Sequence, residues 1–548
     1  MTPVVIATPA GPCFAAYHPA AGGAVLFIPM FGYEALATHR IWARFADRLA
    51  DEGTAVLRLD LPGTGDSAGE IDLADPVGAW QGAVDAAVAW LAERHGAVTL
   101  LGCRFGALLA LDAAGRGGEC RSLVLLDPPS DGPGLVRQLK ARARLKAAGG
   151  GEGADQAYGI PLGGEMLAGF AALPATGFGR PDVLVIQDPP AAMPGWRVAL
   201  EESGAAVETA AFAEREAFVM RDSFRLEAPL QAFDRVAGFL AARGAPGVAA
   251  PVLPPAVLRL PGVAESAVRF GPGLFGILTK PAGKTDLAVL IPSVGNLPRS
   301  GPQRLMTDLA RRLAREGVAS LRYDCECVGD SAGEASGDTA VETYLPAQIE
   351  HVSLAIDELG RHGFERVVVA GHCSGAYLGW HAAGRDRRIA GVFAANMQLF
   401  QAMDRATASR MVRPGGEGPG VAAERPRPQP VGVVARAKRT VREAIPRGVW
   451  TWLRSTGAVE RGVRGHLRGV VRRGCRVRLV YGDVEDERYF LHRAFDEPPR
   501  LPEGAEIVVV SGADHMFSAQ RHRARLLDLA AEFVALHDRG SEHGKAGR

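Results

Sequence analysis

The stretch VVVAGHCSGAYLGW, residues 367–380, decides the reading of this chain. A run of valines meets Gly371-His372-Cys373-Ser374-Gly375, and a helix-forming segment follows. Successive β-branched residues predict a buried strand, and the two glycines leave room for a sharp turn into a helix. The spacing is that of G-x-S-x-G, a turn that displays its middle side chain above a sheet. Here the middle residue is Cys373, and Ser374 comes one step later. A thiolate at that position would be favoured by the helix N-terminus and by a histidine partner. The competing reading is a small buried packing residue, as free cysteines often are.

Working outward, the same order of parts occurs twice. RFADRLADEGTAVLRLDLPGTGDSAGE (44–70) parallels DLARRLAREGVASLRYDCECVGDSAGE (308–334), 264 positions further along. VTLLGCRFGALLALDAA (98–114) parallels VVVAGHCSGAYLGWHAA (367–383), and SLVLLDPPS (122–130) parallels IAGVFAANMQ (389–398). The period is far too long for a solenoid and reads as a duplicated domain. Strands alternating with helices predict a mostly parallel, doubly wound α/β sheet in each half. The expected boundaries are a first domain over 1–243, a Pro/Gly/Ala-rich linker over 244–262, a second domain over 263–538, and a loose tail over 539–548.

Bulk properties agree with a globular, multi-core chain. A length of 548 residues exceeds what one core supports. The formal charge of +1 gives no global attraction to nucleic acid or membrane. Seven scattered cysteines do not form a disulfide framework, and Cys325 and Cys327 lack the neighbouring ligands of a zinc site, so no metal or cofactor is expected. The N-terminus has no secretory pattern, and no run of about 18 apolar residues predicts a membrane span. A reducing cytoplasm is the expected compartment, and the Arg, Ala and Gly content suits a GC-rich bacterial genome.

These motifs resemble the α/β-hydrolase superfamily over nearly all of both halves. The first half, with LFIPMFGYE, LRLDLPGTGDSAGE and LLGCRFGALLA, is similar to exosortase-system-associated hydrolase-like proteins, which also tend to carry arginine at the elbow. The second, with RFGPGLFGILTKP, LRYDCECVGDSAGE and GHCSGAY, resembles the serine-aminopeptidase-like branch. The resemblance implies two tandem α/β-hydrolase-fold domains and the chain order nucleophile, acid, histidine. Cys373 is then the nucleophile. His515, in the loop after EIVVV, is the base, ahead of the less suitably placed His492 and His522. The acid comes from the loop after VRLVYG, where Asp483, Glu485 and Asp486 are candidates. Asp486 is the first choice with Glu485 close behind, and the alternative role for Asp483 is to cap the loop. Backbone N–H groups of Ser374 and of the 293–295 loop would form the oxyanion hole, with Val294 chosen over Ser293 and Gly295.

The first half departs from this pattern. Arg104 occupies the elbow position, and a guanidinium cannot be a nucleophile. Cys103 is out of phase and expected to face the core. The segment AAFAEREAFVMRD holds no histidine, so the half reads as a noncatalytic copy packed on the second. Arg104 is expected either to bind an anion or to form a salt bridge with an acid such as Asp188. The repeated pairs Asp60/Asp66 and Asp324/Asp330 are read as structural braces.

A helical cap insertion is expected over about 401–476, with 17 Arg or Lys against 5 Asp or Glu. It reads either as a solvated arginine-rich face or as a lid that recruits an anion, such as an acyl group on CoA or on a carrier protein. No nucleic-acid motif accompanies it. The leading expectation is a Cys-His-acid enzyme acting on an ester or thioester, as a thioesterase or an acyltransferase. The rivals are an inactive scaffold docking an anionic partner on the cap and, from the branch resemblance alone, a peptidase.

Overall fold

The computed structural model describes the chain except residues 71–72, 118–119, 149–154, 158, 189–192, 221–225, 244–252, 255, 334–341, 402–461, 485–500 and 539–548. The first half contains strands β1 (Thr2–Ile6), β2 (Cys13–His18), β3 (Ala24–Ile28), β4 (Ala55–Leu59), β5 (Val98–Cys103), β6 (Cys120–Leu126), β7 (Gln156–Ala157), β8 (Ile160–Pro161), β9 (Asp182–Ile186) and β10 (Ala206–Ala210). The second contains β11 (Val257–Leu260), β12 (Val263–Phe270), β13 (Leu274–Pro281), β14 (Leu287–Pro292), β15 (Ala319–Asp324), β16 (Arg366–His372), β17 (Ile389–Ala395), β18 (Arg476–Gly482) and β19 (Ala505–Val510).

The first sheet runs β1-β2-β4-β3-β5-β6-β9-β10 and the second β11-β12-β13-β15-β14-β16-β17-β18-β19. Apart from the extra edge strand β11, the two orders are the same: antiparallel strands on one side, then a parallel run crossing over between β3 and β4, or β14 and β15. This is the α/β-hydrolase sheet, built twice. The central strands AVLFI (β3) and LAVLIP (β14) are buried along their whole length, because helices cover both faces of a parallel sheet. The post-elbow helix Phe105–Gly115 is likewise buried throughout, which its all-apolar first turns FGALLAL demand.

The repeated GDSAGE turns are built alike. Asp60 Oδ2 accepts from the Asp66 N–H at 2.9 Å, and Asp324 Oδ2 from the Asp330 N–H at 2.9 Å. Ser67 Oγ accepts from Phe14 N–H and donates to Asp60 O; Ser331 Oγ does the same with Phe275 and Asp324. The two turns face each other across the halves, and their contacts are reciprocal. Arg58 on β4 bonds Asp330, while Arg322 on β15 bonds Asp66 at 2.5 Å. Arg40 donates to Gly333 O at 2.6 Å, and Arg304 to Gly69 O at 2.7 Å. Every member of each pair is 264 positions from its counterpart. Residue i meeting j while j′ meets i′ is the signature of an isologous, two-fold contact. The halves therefore associate as the two subunits of a symmetric dimer would.

Arg299 departs from that symmetry. Its guanidinium lies 5.4 Å from the Phe14 ring centroid and 4.4 Å from that of Phe275, and it bonds Asp66, Asp324 and Asp330 at 2.7, 2.8 and 2.9 Å. Phe14 and Phe275 are themselves counterparts, so Arg299 lies near both of two equivalent rings.

Candidate active site and its counterpart in the first half

In the second half the elbow joins β16 to the helix Ser374–Ala383. Cys373 takes φ 51° and ψ −115°, a strained conformation for a residue with a Cβ. Its N–H donates to Ala395 O at 2.8 Å. Glycine is sterically required at 371, where a Cβ would lie 2.3 Å from the backbone of Gly375 and Ala376, and one on Gly375 would be tight, 3.0 Å from Pro292 O. Cys373 is half-buried. Ser374 is fully buried, and its Oγ accepts from Gly295 N–H at 2.7 Å, facing away from the displayed position. The elbow therefore displays the thiol and not the hydroxyl.

That bond also sorts the 293–295 loop. Gly295 N–H is committed to Ser374, and Ser293 N–H donates to Tyr323 O at 3.0 Å. Among the described residues, the Val294 N–H has no such partner. Ser374 is the first residue of its helix, where an N–H has no intrahelical acceptor.

His515 follows β19 in a loop tied to the elbow by two side chains that sequence reasoning missed. His372 Nε2 donates to His515 O at 2.7 Å, and Asn396 Nδ2 donates to the same oxygen at 2.8 Å. Burial pushes the His372 imidazolium down to about 3, so the ring is neutral and carries its proton on Nε2, the nitrogen facing the carbonyl. Asn396 adopts φ 43° at the end of β17 and also accepts from Gly482 N–H at 2.9 Å, linking β17, β18 and the histidine loop. Asp514 caps the same loop by accepting from Ser518 N–H at 2.7 Å. The Gln398 amide lies 3.4 Å from His515 Nδ1. The only sequence clue to His372 and Asn396 was their position beside an elbow and at a strand end.

Of the acid candidates, Glu485 and Asp486 lie outside the described residues. Asp483 accepts from Ser511 Oγ at 2.9 Å and from Gly512 N–H at 2.5 Å, so it braces β18 against the end of β19. The residues between 402 and 461, most of the arginine-rich segment, also lie outside the described residues. The helix Val463–Arg472 packs on the sheet through Leu467 and Val470, and His466 Nε2 donates to Trp380 O at 2.8 Å. A further group near the thiol is Tyr344, whose hydroxyl is 3.8 Å from Cys373 Sγ and whose ring stands edge-on to Tyr377 at 5.2 Å.

The first half keeps the frame and changes the chemistry. Arg104 repeats the strained turn at φ 53°, ψ −117°, with its N–H on Leu126 O at 2.9 Å. The expected salt bridge exists, but Asp188 is not its partner. Arg104 Nε donates to Glu34 at 3.0 Å and Nη1 to Asp127 at 2.9 Å. Asp127, at φ 45°, stands where Asn396 stands, and its other oxygen accepts from Arg215 at 2.8 Å. Ala213-Glu214-Arg215 follows β10 as Ala513-Asp514-His515 follows β19. Arginines thus stand at both the nucleophile and the histidine positions, bridged by one carboxylate. Asp127 follows β6, and Glu34 lies in the first turn of the helix after β3; these two strands flank β5, whereas Asp188 follows β9, which is not next to it. Cys103 is buried, and desolvation holds its thiol well above the ordinary value.

The sequence of residues 288–529 matches the α/β hydrolase family model, which spans the second sheet from β14 to the C-terminal helix. No curated protein matches the chain. Solved structures with a similar fold include a thermophilic esterase from Thermogutta terrifontis, 18% identical, covering 44% of this chain and 99% of its own with a TM-score of 0.32. A serine hydrolase homologue from Coxiella burnetii is 16% identical and covers 50% and 96%, with a TM-score of 0.28. Est1E from Butyrivibrio proteoclasticus is 16% identical and covers 50% and 97%, with a TM-score of 0.31. Among the described residues no helix is long and apolar enough to cross a membrane, and no cluster of His, Cys, Asp or Glu could hold a metal.

Proposed function

We propose that the second half is an acyl-processing enzyme with a cysteine nucleophile. The observation that carries this reading is the displayed Cys373 on a strained elbow, beside a histidine loop that His372 and Asn396 tie to the same strand ends. His515 takes the thiol proton as Sγ attacks the carbonyl carbon of an ester or thioester. The N–H groups of Ser374 and Val294 receive the oxyanion. Collapse of the intermediate expels the leaving alkoxide or thiolate, which takes the proton back from His515. The acyl group remains on Cys373 as a thioester, and water or an acceptor nucleophile then releases it. Glu485 or Asp486 orients His515. The Tyr344 hydroxyl acts beside the thiol as a hydrogen-bond donor.

The donor fits an acyl group on CoA or on a carrier-protein phosphopantetheine, because the 401–476 segment carries a net positive charge. A reducing cytoplasm suits a working thiol. The first half is noncatalytic and supports the second.

Intact-protein mass after brief exposure to a panel of acyl-CoA and activated-ester donors tests the reading. The expected result is an acyl adduct that maps to Cys373 and is absent from Cys373→Ala. An adduct that persists in Cys373→Ala, or one that maps to Ser374, would contradict it.

A further inference from the structure

Arg299 has no counterpart in the first half: the position 264 residues earlier is Ala35. This has two consequences. Asp324 holds Arg299 through two bonds, at 2.6 and 2.8 Å. Asp60, its counterpart, accepts from the Asp66 N–H, and among the described residues no cation bonds it. In addition, a cavity of about 130 Å³ opens beside Ala35, with Phe27, Phe31, Trp42, Trp80 and Phe105 in its walls and Asp60 at its edge.

The other charges lining the cavity are already engaged. Asp66 is held by Arg299 and Arg322, and Asp330 by Arg58, Arg299 and His39. Arg304 bonds Gly69 O and faces Asp308 at 3.3 Å. Among the described residues the Asp60 carboxyl alone makes no direct ion pair; His39 and Arg299 act on it only from further off.

We propose that this cavity is a small-molecule site for a primary amine bearing one aromatic ring or a short alkyl chain. The ammonium group would bond Asp60, and the apolar body would lie among the aromatic side chains. Size supports this class, since an apolar cavity of about 150 Å³ accommodates benzene. Aromatic faces add attraction for a cation. Desolvation and the neighbouring Asp66 push the Asp60 carboxyl up to about 6, the mark of a carboxylate in need of a positive partner. Pockets with an apolar body and one polar anchor are the usual form of a ligand site. The site is separate from Cys373, and the inference does not depend on the proposed chemistry there.

Calorimetric titration of the full chain with 2-phenylethylamine, 2-phenylethanol and 3-phenylpropionate tests it. The amine should bind about tenfold or more tightly than the alcohol, and the acid should not bind. Asp60→Asn should erase the preference for the amine, and Ala35→Phe, which fills the cavity, should abolish binding. Absence of amine binding, equal binding of acid and amine, or an intact amine preference in Asp60→Asn would overturn the proposal. If Asp60→Asn does not fold, the ligand series and Ala35→Phe decide it.

Discussion

Arg322 of the second half donates to Asp66 of the first at 2.5 Å, with both side chains almost fully buried. The same guanidinium bonds Glu265 at 2.7 Å, and Glu265 in turn holds Arg311 at 2.6 Å. Desolvation of these groups is costly, and only complete mutual pairing offsets it. Arg322→Ala would leave Asp66 and Glu265 short of a partner. We expect a loss of about 3–5 kcal/mol in denaturant unfolding, typical of breaking a buried pair. Arg48→Ala, which removes only exposed pairs, should cost less than about 1 kcal/mol.

The two turn carboxylates respond to pH in opposite senses. The arginines around Asp66 hold its pKa well below the usual range, whereas Asp60 is pushed up to about 6. Asp66 therefore contributes stability above its unfolded pKa near 4, and that contribution is lost as pH falls. Asp60 opposes folding progressively as pH rises from its unfolded pKa near 4 to its raised pKa of about 6, and the full penalty stands above that, because the folded state disfavours its charge. Asp60→Asn should stabilise the protein by about 2 kcal/mol at pH 8 and by almost nothing at pH 4. Parallel thermal melts at the two pH values check this. A gain that is equal at both would contradict it.

Asn396→Ala removes one bond to the His515 carbonyl and leaves the Gly482 N–H without its side-chain acceptor. It should slow acylation of Cys373 by about 10²-fold through misplacement of the histidine, with substrate KM little changed. Tyr344→Phe, which keeps the ring on Tyr377, should slow the same step by about tenfold, the worth of one hydrogen bond. Single-turnover acylation followed by mass checks both.

Arg104→Ser restores a hydroxyl to the first elbow. It should produce no acylation there, because Arg215 stands in the histidine position. It should cost about 1–3 kcal/mol by removing the Arg104 partner from Glu34 and from Asp127 in a partly exposed setting. An acyl-serine mapped to position 104 would contradict the reading of this half as noncatalytic.

The repeated strand–turn–helix order was legible because buried strands and tight turns constrain local sequence strongly: valine runs and obligatory glycines mark the elbow in both halves. The displayed position of Cys373 could be read from motif spacing, whereas the bracing role of Asp483 became visible only with its bonds to Ser511 and Gly512. The partners of Arg104 could not, since Glu34 and Asp127 lie 70 and 23 residues away and meet it only after the sheet forms. His372 and Asn396 escaped notice for a related reason. They act on a backbone carbonyl, and a carbonyl leaves no residue-type signal in sequence. The reciprocal arginine–aspartate contacts were hidden too: the repeat of Arg58 and Arg322 was visible, but nothing local indicated that each would serve the other half.

Cys373 is half-buried, whereas five of the other six cysteines are buried; Cys120, the sixth, has its thiol pushed up to about 12 by desolvation. Residue-resolved alkylation with iodoacetamide at pH 7, on wild type and His515→Ala, tests the central claim most directly. The account predicts that Cys373 reacts about tenfold or more faster than each of the other six, and that His515→Ala removes most of that advantage. Equal reactivity of Cys373 in the two proteins would contradict a Cys373–His515 catalytic pair.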